Sequence, residues 1–371
     1  MEYQELVNWI RLINSDGVGP VTFYKIIDKY QTAENALKYI DKNKVFSEYD
    51  AKAEVEKAYK QNAYFISVKD REYPSGLKLL NDAPPILYAK GRVDILNHPI
   101  VVSIVGARNA SVSSRKIASK IAYDLTNSDV LVVSGMARGI DSAAHKGAMY
   151  AKDKNGPTVA VLGTGVDVPY PTENKELYEH ICAQGVVISE YLLGTQPQSS
   201  NFPRRNRLVS ALSSGVLVVE ASHNSGSLIT ARLGLEQGKD IFAVPCSPIE
   251  GRSAGTNSLI KEGAVLTENA DDILNVLCYN SNLKKKEFEF KKTDLCVNTL
   301  DKAKKSDNIP IKETKHDLKS LMSLIPAEGI DIDELIRISG GDAFKTMAQI
   351  TELELDDIVE RKNTNILILK H

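Results

Sequence analysis

Residues 66–280 predict a doubly wound α/β domain whose parallel sheet is covered on both faces. Apolar, β-branched runs of strand length recur at 100–105 (IVVSIV), 130–133 (VLVV), 158–162 (TVAVL), 186–188 (VVI), 215–219 (GVLVV) and 241–244 (IFAV). Amphipathic stretches such as SSRKIASKIAYDL and DSAAHKGAMY lie between them. Segments rich in Gly, Ser and Arg follow the strands. Continuous apolar strands alternating with helices signal strands buried on both faces, with ligands bound beyond their carboxyl ends.

The elements on either side follow from periodicity and charge. In residues 1–65, Leu6, Trp9, Ile10 and Ile13 recur at i, i+3, i+4 and i+7, and a second run carries Phe23, Ile26, Ile27 and Tyr30, so this part predicts a small helical domain. Asp16-Gly17-Val18-Gly19-Pro20 separates the two runs. It reads either as a tight αα turn with Pro20 at a helix start, or as a turn presenting N–H groups to a phosphate. Residues 281–316 hold 10 lysines against 6 acids, lack sustained periodicity and predict a lysine-rich linker. Residues 317–371 hold 6 basic and 11 acidic side chains and regain periodicity, which predicts a separate small domain. In it Leu321, Leu324 and Ile325 suit one helix, and Ile332, Leu335 and Ile336 a second.

Composition sets the outer bounds. A chain of 371 residues, 43% hydrophobic and 25% charged, is long enough for two or three domains with their own cores. Its net charge of −2 excludes a uniformly basic DNA-coating protein but not a local basic patch. Cys182, Cys246, Cys278 and Cys296 stand far apart without a CxxC pair, which argues against a zinc site of that type and for a reducing, cytoplasmic compartment. MEYQELVNWI lacks the basic stretch of a signal peptide, and no apolar run has membrane-spanning length.

The chemistry collects at the strand ends. The first turn, Gly106-Ala107-Arg108-Asn109-Ala110-Ser111, opens a helix, and its exposed N–H groups and Arg108 predict an anion site. The second, Ser134-Gly135-Met136-Ala137-Arg138-Gly139-Ile140-Asp141, places Asp141 to cap the next helix. A third runs from Gly163-Thr164-Gly165 to Tyr170-Pro171-Thr172-Glu173-Asn174-Lys175, and another from Glu220 to Thr230. Asn201-Phe202-Pro203-Arg204-Arg205-Asn206-Arg207 adds three arginines in four positions beside an aromatic ring, a set suited to gripping phosphates and stacking on bases. Ser227 and Thr230 share one face of a helix start, which suits phosphate contact better than nucleophilic attack.

Neither GxGxxG nor GxxxxGK[ST] is complete, so a nicotinamide dehydrogenase is disfavoured. His145 and His223 are available as acids or bases, yet no nucleophile, base and orienter form a set. No catalytic residue, metal or cofactor is expected.

In order and spacing, VGARNAS (105–111), SGMARGIDSAAH (134–145), VAVLGTGVDVPYPTENKEL (159–177), FPRRNRLVSALS (202–213), VVEASHNSGSLITA (218–231), VPCSP (244–248) and AGTNSLIKEGAVL (254–266) resemble the DprA/Smf DNA-processing family. The resemblance implies an extended Rossmann-like sheet, flanked by a SAM-like, helix-hairpin-helix N-terminal domain and a winged-helix C-terminal domain. It implies a non-enzymatic, cytoplasmic recombination mediator that binds single-stranded DNA without sequence preference, dimerises through the α/β domain and loads the RecA recombinase during natural transformation. Single-strand-binding protein is a further implied partner. The family's DNA-contacting positions fall on Arg108, Lys175 and Tyr178, the last expected to stack on a base. Arg138, Arg204, Arg205 and Arg207 fall on further pocket or structural positions. Gly106, Gly135, Phe202, Gly226, Ser227 and Thr230 complete the expected interface.

Two positions depart from the family pattern. Ala107 replaces the usual serine of the first turn, removing one hydroxyl–phosphate bond, and Cys246 stands where glycine is usual, which questions how the chain turns there. The acidic C-terminal domain repels phosphate, so its expected role is protein contact or an autonomous appendage. The rival classes are a phosphoribohydrolase of the lysine-decarboxylase-like kind, whose PGGxGTxxE signature is absent, and a sensor of a free nucleotide.

Overall fold

A computed structural model of the chain describes residues 1–151, 157–247, 251, 254–280, 321–326, 329–339, 346–347, 349–350, 353–354, 358–362 and 366–369. Residues 1–287 form one compact unit and residues 288–371 a second. The predicted linker at 281–316 lies outside the described residues.

The first unit is built on a nine-stranded sheet of β1 (Tyr64–Ser67), β2 (Ile86–Gly91), β3 (Val101–Val105), β4 (Leu131–Ser134), β5 (Thr158–Val161), β6 (Val186–Ser189), β7 (Gly215–Val218), β8 (Asp240–Ala243) and β9 (Val265–Leu266). Their spatial order is β1-β2-β6-β5-β4-β3-β7-β8-β9. From β6 to β9 every pairing is parallel, as the apolar runs predict. At the other edge β1 pairs antiparallel with β2, and β2 antiparallel with β6, so the sheet is mixed.

Period-two alternation sorts the strand residues between two cores. Val102, Ile104, Val132 and Leu217 meet α6 (Val112–Asn127), α7 (Ile140–Met149) and α12 (Ala270–Asn280) through Ile121, Leu125, Ala144, Ile273 and Leu277. On the same face α8 (Lys175–Gln184) contributes Leu177, Tyr178 and Ile181 against Ala160 and Val187. Val101, Val105, Val133, Val161 and Val218 face the opposite way, toward α9 (Asn201–Ala211) and α10 (Gly226–Glu236), which supply Leu208 and Ala231. Shorter helices α5 (Ser75–Lys78) and α11 (Ala254–Lys261) complete the domain.

The predicted N-terminal helices form α1 (Tyr3–Ile13), α2 (Pro20–Tyr30), α3 (Ala33–Leu37) and α4 (Glu48–Lys60). Leu6, Trp9, Ile10 and Phe23 are buried together, and Ile86 of β2 joins the same cluster. Gly17 has φ +78° between α1 and α2, and Pro20 opens α2, the geometry of an αα turn. A buried carboxylate ties α4 to the sheet domain, Glu54 Oε1 accepting from the Leu193 N–H at 2.6 Å.

The second unit contains β10 (Ile330–Asp331), α13 (Ile332–Ile338), β11 (Val359–Lys362) and β12 (Ile366–Leu369) in an antiparallel sheet of order β10-β12-β11. Leu321, Ile325, Ile332, Leu335, Leu353 and Leu367 make its core. The helix, the three-stranded sheet and the terminal β11–β12 hairpin agree with the expected winged helix. No described helix is long and apolar enough to cross a membrane.

Candidate nucleic-acid interface

The connections from β3 and β7 run to opposite sides of the sheet, so the topological switch lies between these two strands. Glu220 occupies that place. It is 2% exposed, its carboxylate accepts from the Ser111 N–H at 3.0 Å, and its backbone carbonyl accepts from the Ala107 N–H at 2.7 Å. The start of α6 is capped by Ser111, whose hydroxyl accepts from the Ser114 N–H. Gly106 allows this close packing, since a Cβ there would collide with Ile140 and crowd the Glu220 carbonyl.

The next turn is filled in the same way. Asp141 does not cap α7, whose N-cap is Gly139 at φ +79° without a side-chain bond. Its Oδ2 turns back and accepts from the N–H groups of Gly135 at 3.1 Å and Ala137 at 3.3 Å. Burial pushes the Asp141 carboxyl up, against the Arg205 charge that pulls it down. The sequence predicts N–H groups open to an anion at the first turn and a helix cap at the second. In the structure the molecule's own carboxylates take the N–H groups of Ser111, Gly135 and Ala137, and the positive charge at the site comes from side chains.

Those side chains surround a cleft of about 420 Å³ lined by Arg108, Arg115, Arg138, Ser142 and Asn174. All three arginines are exposed. Arg138 stands 3.6 Å from Glu173, both more than half exposed, a pairing that a phosphate can displace. Arg108 reaches over the Phe202 ring at 5.5 Å, and Phe202 packs against Tyr170 with centroids 5.4 Å apart. Tyr170 is 39% exposed. Lys175 is exposed on the first turn of α8. A larger cleft of about 550 Å³ lies between the Gly17–Pro20 turn and the sheet domain. There Arg204 stands 3.9 Å from Glu190, and Asp16 also lines the hollow, so its arginine is accompanied by two acids.

Five expected side-chain contacts are buried instead. Tyr178 is 7% exposed and its hydroxyl donates to the Val166 carbonyl at 2.5 Å. The ring belongs to the core under α8, and the exposed ring beside the cleft is Tyr170. Arg205 is 4% exposed, with Nη1 donating to the Val161 carbonyl, and its guanidinium packs against Gly135, where a Cβ would overlap it. Burial lowers its pKa to about 10, an effect opposed by Asp141. Arg207 is equally withdrawn, pairing with Glu190 at 2.7 Å and Asp82 at 2.7 Å. Of the arginines at 204, 205 and 207, Arg204 alone is exposed, 3.9 Å from Glu190. Ser227 and Thr230 are buried, with the Ser227 hydroxyl bonded to that of Ser225 at 2.7 Å, while Gly226 is exposed with open space around it.

The two departures from the family pattern cause no break. Cys246 is held by Asn257, which accepts from its N–H at 3.1 Å and donates to its carbonyl at 2.9 Å, so this side chain fixes the turn without a glycine. The Ala107 N–H is taken by Glu220, as above. Arg115, Asn174 and Tyr170 were not among the sequence-predicted contacts. Arg115 lies on the first turn of α6, where a long side chain leans back toward the helix start and into the cleft. Asn174 donates to the Met136 carbonyl at 2.9 Å and so joins two of the loops.

His223 is exposed, whereas His145 is completely buried. The Thr158 hydroxyl donates to the Val132 carbonyl, so His145 Nδ1–H donates to Thr158 Oγ1 at 2.8 Å and Nε2 carries no proton. Burial lowers this imidazole's pKa to about 3, with Arg205 acting in the same direction. The unfolded chain takes the proton near 6.5, so its stabilising contribution is complete above that value and is lost as pH falls toward 3. Between pH 7 and pH 5.5 this group alone is expected to remove about 1 kcal/mol of folding stability. Urea denaturation at both values would show that loss in the wild type and its absence in His145→Gln; an equal pH effect in both would refute the assignment.

The chain is similar in sequence and fold to known proteins. Residues 64–278 match the family model for DNA recombination-mediator protein A, and residues 3–56 match the DprA-like N-terminal HHH domain. The DNA processing protein DprA of Streptococcus pneumoniae is 44% identical over 208 residues, covering 56% of this chain and 72% of that protein. Its Bacillus subtilis counterpart is 36% identical over 237 residues, covering 64% of this chain and 79% of that protein. The X-ray structure of the pneumococcal protein superimposes with a TM-score of 0.62 at 34% identity, covering 72% of this chain and 97% of that one. DNA processing protein A of Helicobacter pylori, known for a unique single-stranded DNA binding mode, gives 0.52 at 31% identity, covering 58% of this chain and 96% of that one.

Proposed function

We propose, because the chain belongs to the DNA recombination-mediator protein A (DprA/Smf) family, that it binds single-stranded DNA and hands the strand to the RecA recombinase during natural transformation. The observation that carries this reading is the cleft in which Arg108, Arg115 and Arg138 converge beside the Tyr170–Phe202 pair. Three exposed guanidiniums suit phosphates spaced along a backbone, with Lys175 continuing the positive track. The aromatic pair offers a surface on which any base can stack, at about 1–3 kcal/mol per base. Charge plus sequence-tolerant stacking is the physical signature of a strand binder rather than a base reader.

Nucleotide-processing chemistry has less support. Glu220 is engaged by the α6 N-terminus, and His145 is sealed in the core. Neither is presented to a substrate as acid or base. In the proposed assembly two copies join through the α/β domain, so that two clefts act on one strand and raise avidity. Single-strand-binding protein is a further partner in this reading.

A salt titration of binding to matched single- and double-stranded oligonucleotides tests the reading, with dimer state recorded in parallel. The single strand is expected to bind more tightly, with log K falling by about 0.7 per phosphate contact for each unit of log salt. In a duplex the bases are already stacked and cannot reach Tyr170 and Phe202. Equal affinity for both forms, or binding insensitive to salt, would overturn it.

A further inference from the structure

We infer that Arg205 and Asp141 form a buried brace beneath the β4–α7 loop and hold Arg138 at the rim of the cleft, so that Arg205 is a positioning residue for strand binding and not a contact. The inference rests on the strand-binding reading of the cleft. It starts from an exclusion: at 4% exposure, the Arg205 guanidinium is withdrawn from the surface that a phosphate approaches. Below the loop its Nη1 donates to the carbonyl of Val161 at the end of β5.

The loop above is fixed from three sides. Asp141 Oδ2 takes the N–H groups of Gly135 and Ala137. The Arg205 guanidinium supports Gly135 so closely that no side chain fits there. Asn174 takes the Met136 carbonyl from the α8 side, and Met136 is held at φ +61° with no exposure. A non-glycine residue in this conformation is strained and persists only where its surroundings over-determine it. Arg138 is the first residue beyond these anchors, and it projects into the cleft. Opposite charges under the loop offset one another's burial, so removing one unsettles the loop through the other.

The test uses the full chain and a labelled oligothymidylate in a salt series. Arg205→Met, Gly135→Ala and Arg138→Ala are each expected to weaken binding by about tenfold, the value of one charge-assisted contact. If Arg205 acts through Arg138, the Arg205→Met/Arg138→Ala double variant binds within about twofold of Arg138→Ala and shares its salt slope. A further fall of about 0.7 in that slope would mark Arg205 as a phosphate contact and overturn the proposal. Fully additive losses, or unchanged binding by Arg205→Met, would overturn it too. Gly135→Ala preserves every charge and carries the test if Arg205→Met does not fold. Amide hydrogen exchange separates the brace from the DNA reading. Gly135 and Ala137 are expected to exchange slowly in the wild type and quickly in Arg205→Met. Unchanged exchange overturns the brace, whereas faster exchange with no strand binding by the wild type upholds it and refutes the strand-binding reading.

Discussion

Arg108→Glu is expected to bind a single-stranded oligonucleotide about a hundredfold more weakly than the wild type, a loss of about 2.7 kcal/mol. A guanidinium–phosphate hydrogen bond contributes about 1.5–3 kcal/mol, and the new carboxylate adds repulsion from the same phosphate. The log–log salt slope should become shallower by about 0.7 for the lost contact. Arg108 also lies over Phe202 at 5.5 Å, so the substitution removes a cation from the stacking surface. Arg115→Glu is expected to act in the same way from the first turn of α6, through the same cleft. Both side chains are exposed, so thermal unfolding should remain near that of the wild type. Unchanged salt slopes in both variants would remove the cleft from consideration as the strand site.

Arg207→Ala is expected to do the reverse, lowering folding stability by about 3–5 kcal/mol while leaving the salt slope of DNA binding unchanged in the folded fraction. Arg207 pairs with Glu190, and the two side chains are 9% and 6% exposed. Burial pushes the Glu190 carboxyl up, and Arg207 is the largest influence against that shift. Without Arg207 the carboxylate keeps, among the described residues, the ion pair at 3.9 Å with the half-exposed Arg204. Denaturant unfolding followed by a salt titration distinguishes the roles. Wild-type stability combined with a shallower salt slope would identify Arg207 as a DNA contact.

The contrast between Arg108 and Arg207 shows what local sequence conveys and what it does not. Arg108 precedes α6 and Arg207 lies inside α9, and local charge makes both candidates for a phosphate. What separates them is Glu190 and Asp82, which come from distant parts of the chain to bury Arg207. No local pattern announces that meeting. The parallel strands β3–β8 were legible because burial on both faces demands continuous apolar runs. β1 and β2 were not, since Tyr64–Ser67 is half exposed at an edge and Ile86–Gly91 owes its register to β6. β9, two residues long, has too little sequence to show a pattern.

Tyr178 is a different case, because its burial was readable. Leu177, Tyr178 and Ile181 stand at i, i+1 and i+4, one apolar stripe of α8. That stripe faces the sheet, whereas the family resemblance implies a ring stacked on a base. The exposed Tyr170 lies in a loop before the helix, where periodicity offers no guide to direction.

The acids inside the strand-end turns bear on competition within a cell. Free nucleotides are abundant there and carry their phosphates bunched at one end, a shape matched by open N–H cradles at helix starts. Glu220 and Asp141 already take the N–H groups of Ser111, Gly135 and Ala137, which leaves fewer such donors for a compact triphosphate at these two turns. What remains is a set of separate guanidiniums, which a polymer can engage one phosphate after another. On the proposed reading, these acids tilt the site away from single metabolites and toward the rarer strand.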